Sequence, residues 1–464
     1  MTESAPLPVP YFLCVIAIFL LLIRGWKRRF DGSGIPLITV TSTVGIWYLI
    51  DPIYNDYSDY IREFGTGVLN QAWWEILFFL VALAVVAPVI HQKFNSRYLG
   101  QESTVFKMIA DKDLDHPLFQ NQVDQLTLLI FSSFCLLSLI GLIRTDFDFT
   151  GLFFPYLGEK AEPWDRGRIG TGFDFLLALG IYLQIMLNSL LGVVFALSTR
   201  PKTMLIAGLG FFLATPFFLF DRTRSYMLAV LLPGFLALVA IRMKSGIILK
   251  LVVLLLGFVL LEGWLKFVID TRDQGDIAVL FATQGMDKQR EKAGKHLGFN
   301  MFEELGYVNK LIGNGSYKPD WGARYFAELV NPIPRSLWPE KPLIGIDYAV
   351  ARGMGYGNQD QSQGGVAATI STGMIGQGIV NFGFFLGPIV AAILMSIWVA
   401  VLARQDLMGE KLGHLLLYAI GLVLTYNMGR DITLLVLYPF VFGWILLYFI
   451  NRRKSDYSGN LYET

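Results

Sequence analysis

The sequence is poor in charged residues and contains almost no cysteine. Only 16% of its 464 residues are Asp, Glu, Lys or Arg, whereas soluble domains carry about a quarter. The formal net charge is +1, which gives no support to a nucleic-acid partner. Both cysteines, Cys14 and Cys135, lie in apolar runs, so there is neither a disulfide framework nor a metal-type cysteine spacing. These absences exclude a typical soluble or disulfide-stabilised domain.

Motifs for common cofactors are also missing. No His, Cys or carboxylate cluster has the spacing of a metal site. There is no glycine-rich loop of the nucleotide-binding type and no cytoplasmic segment long enough for a nucleotide-sugar domain. The lack of an internal repeat disfavours transporters built from repeats. An enzyme built on this chain is expected to use a membrane-borne donor, without a metal or other cofactor.

Long apolar runs are what the sequence does contain, since 54% of its residues are hydrophobic. A run of about 20 apolar residues crosses a bilayer as a helix, so we predict an all-α polytopic membrane protein. The first run is followed by basic residues, which favours a retained span over a cleavable signal. The eleven predicted spans are residues 9–23, 36–53, 72–90, 126–143, 172–197, 203–220, 225–242, 248–268, 376–403, 412–428 and 431–450.

Lysine and arginine predict the orientation, because they accumulate in cytoplasmic loops. Six basic segments, beginning at Arg24 and ending at Arg453, fall on one side of the predicted spans. The N-terminus is then periplasmic and the C-terminus cytoplasmic. Residues 1–268 carry spans one to eight, residues 269–375 form a large periplasmic loop with short helices, and residues 376–464 carry the last three spans and a cytoplasmic tail.

Several basic residues depart from this rule because they lie in short outer loops. One explanation is a local ion pair, such as Asp221 with Arg222 or Asp431 with Arg430. The other is an anionic ligand at the outer face, since arginine binds phosphate oxygens through two nitrogens. Several such residues on one face favour a ligand. The exceptions are Arg144, Lys160, Arg166, Arg168, Arg222, Arg224 and Arg430.

The large loop contains two stretches with helical apolar spacing, Phe302–Ile312 and Trp321–Val330. A proline-rich segment follows at Pro332–Pro342, and its fixed backbone suits a stiff arm that holds Arg335 and Lys341.

The remaining loop features have three possible roles each. Trp338 is either an interfacial anchor, a platform for a sugar ring or simply part of a rigid loop. The stretch from Gly353 to Gly378 is rich in glycine and small polar residues, which suits a gate, a hydroxyl-binding segment or a plain linker.

Two motifs resemble the Wzy-type oligosaccharide repeat-unit polymerases. The first is Pro-x-Pro-Arg-x-x-Trp-Pro-x-Lys-Pro at 332–342, and the second is Gly-x-x-x-x-Asn-Phe-Gly-x-x-x-Gly at 376–387. The turn Asp221–Ser225 is similar to an arginine-containing turn of that family. The number of spans and the place of the loop also fit, so the resemblance covers most of the chain, although its sharp motifs cover about forty residues.

The resemblance implies a GT-C-like, metal-independent glycosyltransferase at the periplasmic face of the bacterial inner membrane. Its donor would be a growing glycan on undecaprenyl diphosphate, and its acceptor one repeat unit on a second undecaprenyl diphosphate. A chain-length-determining co-polymerase is an implied partner. The product would be an O-antigen or another polysaccharide.

Candidate site residues follow from this chemistry, because the leaving diphosphate gains charge that fixed guanidinium groups stabilise. Arg222, Arg224 and Arg335 are the predicted catalytic cations. The acceptor hydroxyl needs a base, for which Asp221 and Glu340 are candidates beside Glu304 and Asp347. Predicted substrate-binding residues are Arg166, Arg168, Arg272, Arg430, Lys341, Trp338 and His296.

Two alternatives remain open. The related O-antigen ligases use a histidine motif in this loop, which the sequence at His296 does not reproduce well. A lipid-linked oligosaccharide flippase would need polar residues along a path through the membrane. Polar residues in the predicted spans include Asp51, Asp174, Gln184 and Asn188, and charge concentrates at the outer ends, so the polymerase is favoured over both.

Overall fold

A computed structural model describes residues 6–54, 57–98, 100–111, 116–157, 160–164, 174–220, 224–270, 301–330, 333, 337–342, 345–352, 370–409 and 412–459. These residues are helical throughout their regular structure, with no strand among them. The helices are α1 Val9–Lys27, α2 Gly34–Val44, α3 Asp51–Tyr54, α4 Tyr57–Phe94, α5 Thr104–Asp111, α6 Pro117–Arg144, α7 Phe149–Phe153, α8 Asp174–Leu197, α9 Pro201–Leu219, α10 Arg224–Ala237, α11 Ile247–Asp270, α12 Met301–Gly313, α13 Ala323–Val330, α14 Ile346–Ala351, α15 Gly373–Leu407, α16 Leu412–Met428 and α17 Leu434–Gly459.

The apolar helices confirm a polytopic helical membrane protein. Within the described residues, seven helices are long and apolar enough to cross a bilayer. They coincide with the first six predicted spans and the ninth. Shorter apolar helices, Tyr226–Arg242, Ile248–Leu261, Leu412–Met428 and Val436–Tyr448, lie where the other four were predicted. A total of eleven spans therefore stays a prediction.

The chain folds into two compact units. The first comprises Met1–Glu102, Lys295–Arg404 and Thr425–Val436, and the second Ser103–Gly294, Gln405–Leu424 and Leu437–Thr464. The first unit thus draws on all three of the segments into which the sequence was divided at residues 268 and 375.

In the first unit the core is centred on α4. Trp73, Ile76 and Leu80 are fully buried one turn apart along this helix, because the 3.6-residue period places them on one face. Tyr11 of α1 packs edge-on against Trp73, with ring centroids 5.1 Å apart. The Cys14 thiol donates to the Trp73 carbonyl at 3.4 Å.

In the second unit, small residues set the closest helix approach. A Cβ atom on Gly234 of α10 would lie 2.8 Å from the Cα of Gly192 on α8, so these backbones pack directly, as in other membrane bundles. Arg242 donates to the Phe195 and Ser198 carbonyls at 3.2 and 2.9 Å. This predicted cytoplasmic cation therefore satisfies carbonyls at the C-terminus of α8.

The start of the ninth predicted span differs from the sequence prediction. Helix α15 is broken at Gly383, which has φ 75° and ψ −176°, a conformation that requires glycine. Beyond the break the chain doubles back closely: a Cβ on Gly378 would lie 2.2 Å from the Gly387 carbonyl oxygen. The span predicted from residue 376 therefore begins with a separate short helix, which hydropathy alone could not distinguish.

Candidate active site

Helix α12 of the predicted loop is held at its N-terminus by Asp51. Oδ2 of Asp51 accepts hydrogen bonds from the backbone N–H groups of Phe302 and Glu303, both at 3.1 Å, and Oδ1 accepts from the Tyr60 hydroxyl at 2.9 Å. A carboxylate at this position satisfies amides that have no partner inside the helix and favours its positive end. Asp51, one of the polar residues in the predicted spans, is therefore a helix cap.

Further along, α12 is fixed to α4. The buried Glu75 carboxylate accepts from Asn309 Nδ2 at 2.8 Å and from Gln71 Nε2 at 3.0 Å. Phe302 stacks on Trp73 with ring centroids 4.1 Å apart. Both buried polar contacts and aromatic packing thus orient the helix.

Helix α12 in turn orients α14. The buried Glu304 carboxylate accepts from the Tyr348 hydroxyl at 2.5 Å and from Arg352 Nε at 3.3 Å. Burial and the Glu304 charge raise the pKa of Tyr348, so its hydroxyl stays protonated and donates. Tyr317 donates to Asp347 Oδ2 at 2.9 Å. Glu304 and Asp347, two of the candidate bases, are therefore engaged in holding α14.

Arg324 of α13 is a buried arginine close to α14. Its side chain is near the Tyr348 ring, with Cζ 5.9 Å from the centroid, and Nη2 donates to the Ile370 carbonyl at 3.4 Å. Arg324 is only 4% exposed. In the described part of the chain neither its Nε nor its Nη1 has a hydrogen-bond partner. An unsatisfied buried guanidinium is costly, which makes Arg324 a candidate to bind an anionic or polar group.

Three carboxylates lie close enough to Arg324 to interact with its charge. Asp320 caps α13 by accepting from the Arg324 backbone N–H at 3.1 Å, Asp431 accepts from the Thr372 N–H at 3.2 Å, and Glu328 accepts from the Thr433 hydroxyl at 2.7 Å. Burial raises the pKa of all three, and the charge of Arg324 opposes each rise.

Glu328 is the most suitable of these for proton transfer. Burial raises its pKa to about 7, which is where a general base works best at neutral pH. It lies four residues after Arg324 on α13, so the two side chains share one helix face.

The second sequence motif positions α13. The Asn381 side chain accepts from the Tyr325 N–H at 3.1 Å and donates to the Gln377 carbonyl at 2.7 Å. The Gln377 amide exchanges two hydrogen bonds with the backbone of Ile432, at 2.7 and 3.1 Å. The motif therefore ties α13, the break in α15 and the turn at Asp431 into one site.

The proline-rich segment is described in part. Lys341 is buried and donates to the Ile333 carbonyl at 2.9 Å, so this hydrogen bond connects two residues of the same loop. Trp338 is half-buried and packs edge-on against Phe326 with centroids 6.3 Å apart. Glu340 is exposed.

Most of the predicted cations cannot be placed beside this site. Arg224 begins α10, but its side chain lies outside the described part, and Arg430 is exposed in the turn before α17. Two other outer basic residues have local partners: Arg144 donates to the Pro163 carbonyl, and Lys160 lies over the Phe217 ring. The predicted residues outside the described ranges are Asp221, Arg222, Arg166, Arg168, Arg272, Arg335 and His296.

Sequence reasoning missed Arg324, Glu328, Asp320 and the role of Asp431. Asp431, for which an ion pair with Arg430 was one of two expectations, accepts hydrogen bonds from Thr372 and is stabilised as an anion by the charges of both Arg324 and Arg430. One available signal was the spacing of Arg324 and Glu328, which puts both charges on one face of a predicted helix.

Comparisons with known proteins identify no relative, because no protein family, curated protein or solved structure matches the chain. Among the described residues, no group of three or more His, Cys, Asp or Glu side chains is arranged to hold a metal ion.

Proposed function

We propose that this protein is a metal-independent glycosyltransferase of the Wzy polymerase type. It transfers a growing glycan from undecaprenyl diphosphate to a new repeat unit on a second undecaprenyl diphosphate, at the periplasmic face of the bacterial inner membrane. Its partners are these lipid-linked oligosaccharides, membrane lipids and a chain-length-determining co-polymerase.

The observation that carries the proposal is the pairing of Arg324 with Glu328 on α13. Two guanidinium nitrogens of the buried Arg324 have no hydrogen-bond partner among the described residues, and Glu328 has a pKa raised to about 7. Glycosyl transfer from a diphosphate needs these two functions, a fixed cation for the leaving group and a base for the acceptor.

The reaction divides between the two side chains. The bond between the anomeric carbon and the diphosphate oxygen breaks, and its electron pair stays on the diphosphate, whose added charge Arg324 stabilises. The acceptor hydroxyl oxygen bonds to the anomeric carbon and gives its proton to Glu328. Arg335, in the proline-rich arm that follows α13, is proposed as a further diphosphate ligand.

The expectation that these segments lie on the same side of the membrane gains support from their contacts. Residues predicted on that side form mutual hydrogen bonds: Asp51 with Phe302, Thr372 with Asp431, and Glu328 with Thr433. These contacts join the ends of two predicted spans, the second and the eleventh, to the large loop within the first unit.

The test is polymerisation by purified protein in liposomes supplied with an undecaprenyl-diphosphate-linked repeat unit. Arg324→Gln should reduce the rate of chain extension by roughly 100- to 1,000-fold, the usual cost of losing one fixed donor to a developing charge. Arg324→Lys should retain part of the rate, because it keeps the charge but loses the forked geometry.

Lys310→Gln is the matched control, since it removes one positive charge from the neighbouring helix. Lys310 makes an exposed ion pair with Glu63 at 2.8 Å, so the variant should polymerise normally. Full-length polymer from Arg324→Gln, in protein that melts like the parent, would remove Arg324 from the mechanism.

A flippase for lipid-linked oligosaccharides is the second candidate, favoured by the break in α15 at Gly383, since transporters often use discontinuous helices. The same liposomes distinguish it: a flippase moves the lipid-linked unit between leaflets and leaves its length unchanged. Against it, the buried carboxylates Asp51 and Glu75 in the spans are hydrogen-bonded to α12.

A further inference from the structure

Helix α13 is amphipathic in the reverse sense to a helix in water. Its charged residues Arg324 and Glu328 are buried together with Ala327. The opposite face carries Phe326, 49% exposed, and Leu329, 65% exposed. A helix surrounded by water presents its polar face outward, so this exposed face is built for another environment.

The exposed apolar surface extends on both sides of the helix. Trp321 precedes α13 and is 74% exposed, and Leu337 follows it and is 78% exposed. Ile333, also exposed, lies between. We call Trp321, Phe326, Leu329, Ile333 and Leu337 together the outer apolar face. Apolar residues clustered in this way mark a contact surface, unlike single exposed ones.

This face continues into the surface that the spans present to lipid. Next to Trp321, a Cβ atom on Gly322 would lie 3.2 Å from the Phe382 ring. Three residues after Phe382, beyond the break at Gly383, Phe385 is 64% exposed and meets Phe78 of α4 with ring centroids 5.8 Å apart. From Phe78 the exposed apolar side of α4 continues through Val81. All of these residues belong to the first unit.

We propose that the outer apolar face inserts into the lipid bilayer, at the boundary between headgroups and acyl chains. Its continuity with the lipid-facing side of α4 and α15 selects lipid over water. Lys318, exposed three residues before Trp321, adds a tryptophan–lysine pair of the kind found at membrane interfaces. Insertion holds Arg324 and Glu328, on the other face of α13, at the depth of lipid headgroups. This inference does not depend on glycosyl transfer.

Spin labels measure the depth directly. In the full chain with Cys14 and Cys135 replaced, single cysteines at Leu329 and Leu337 are labelled in liposomes of phosphatidylethanolamine and phosphatidylglycerol. Ser316→Cys is the control, since Ser316 is exposed in the polar turn between α12 and α13. Collisions with oxygen, which dissolves in lipid, are compared with collisions with a water-soluble nickel chelate.

We expect the oxygen-to-nickel collision ratio at Leu329 and Leu337 to be several-fold higher than at Ser316, because interfacial helices bury their apolar face about 5–10 Å below the surface. A ratio equal to that of Ser316 would overturn the proposal. Low collision rates with both reagents would overturn it too, by indicating a protein partner or a second copy on this face.

Tryptophan fluorescence gives a second measurement without labels. The fluorescence that is lost in Trp321→Phe is the contribution of Trp321. In the parent protein, lipids brominated near the headgroup should quench this contribution. If iodide in the buffer quenches that fraction instead, Trp321 lies in water and the face does not insert.

Discussion

Replacing Asp51 with alanine removes the single carboxylate that joins the second predicted span to α12. The change takes away the acceptor for the N–H groups of Phe302 and Glu303 and for the Tyr60 hydroxyl. Asp51 is fully buried, so water cannot replace it without a change in packing. The perturbation therefore tests whether this cap holds the loop scaffold on which Arg324 depends.

The size of the effect follows from these three bonds. A hydrogen bond to a charged group is worth about 1.5–3 kcal/mol, and a helix cap about 0.5–2 kcal/mol. The contributions overlap because the three donors share one carboxylate. We expect Asp51→Ala to lower the free energy of unfolding by about 2–4 kcal/mol. Asp51→Asn keeps one acceptor oxygen and should lie between the parent and the alanine variant.

Amide hydrogen exchange of the detergent-solubilised protein gives the local readout. Exchange at Phe302 and Glu303 should accelerate by roughly 30- to 700-fold, the equivalent of 2–4 kcal/mol. Asp59→Ala is the matched control: Asp59 forms a solvent-exposed pair with Arg62, and such pairs contribute about 0–1 kcal/mol. Unchanged exchange at Phe302 in Asp51→Ala would refute the capping role.

Three further predictions follow. Burial raises the pKa of Glu328 from 4.5 to about 7, so the native state keeps a proton that the unfolded chain releases. The contribution of Glu328 to stability is then full below pH 4.5 and falls by roughly 3 kcal/mol as the pH rises towards 7. Melting curves of Glu328→Gln recorded across this pH range should not show the fall. If the variant and the parent protein had the same pH profile, the prediction would be contradicted. Gly387→Ala should destabilise the protein by about 1–3 kcal/mol, because the added Cβ would lie 2.5 Å from the Gly378 backbone. Gly376→Ala is the control, since its Cβ would make an ordinary contact at 3.5 Å. In the same melting experiments this control should be neutral or stabilising. Arg222→Ala and Arg224→Ala, expressed at normal levels, should each collapse long glycans to a single repeat, and retained long polymer in both would exclude that turn from the reaction.

The sequence predicted the helical character of α12 and α13 because apolar spacing is a local property. Their observed bounds, Met301–Gly313 and Ala323–Val330, agree closely with the stretches named from spacing. The sequence failed to predict which face of α13 points inward. The spacing of its residues gives α13 one apolar and one polar face, but only the packing of neighbouring segments around the helix shows that the polar face is buried.

The same limit applies to the ninth predicted span. Hydropathy reads the residues before and after Gly383 as one apolar run, and a window average is insensitive to a single backbone torsion. The close approach of Gly378 to Gly387 depends on two segments meeting in space, which no window along the chain measures.

The sequence by itself determined that this is a helical membrane protein, because the cost of burying backbone and charge in lipid acts on about 20 neighbouring residues at a time. Tertiary structure alone decided the site. Asp51 meets Phe302 across 251 positions, and Glu328 meets Thr433 across 105. Such contacts form only after the spans have packed, and the burial that they create then raises the pKa of Glu328, as desolvation does for a carboxyl group.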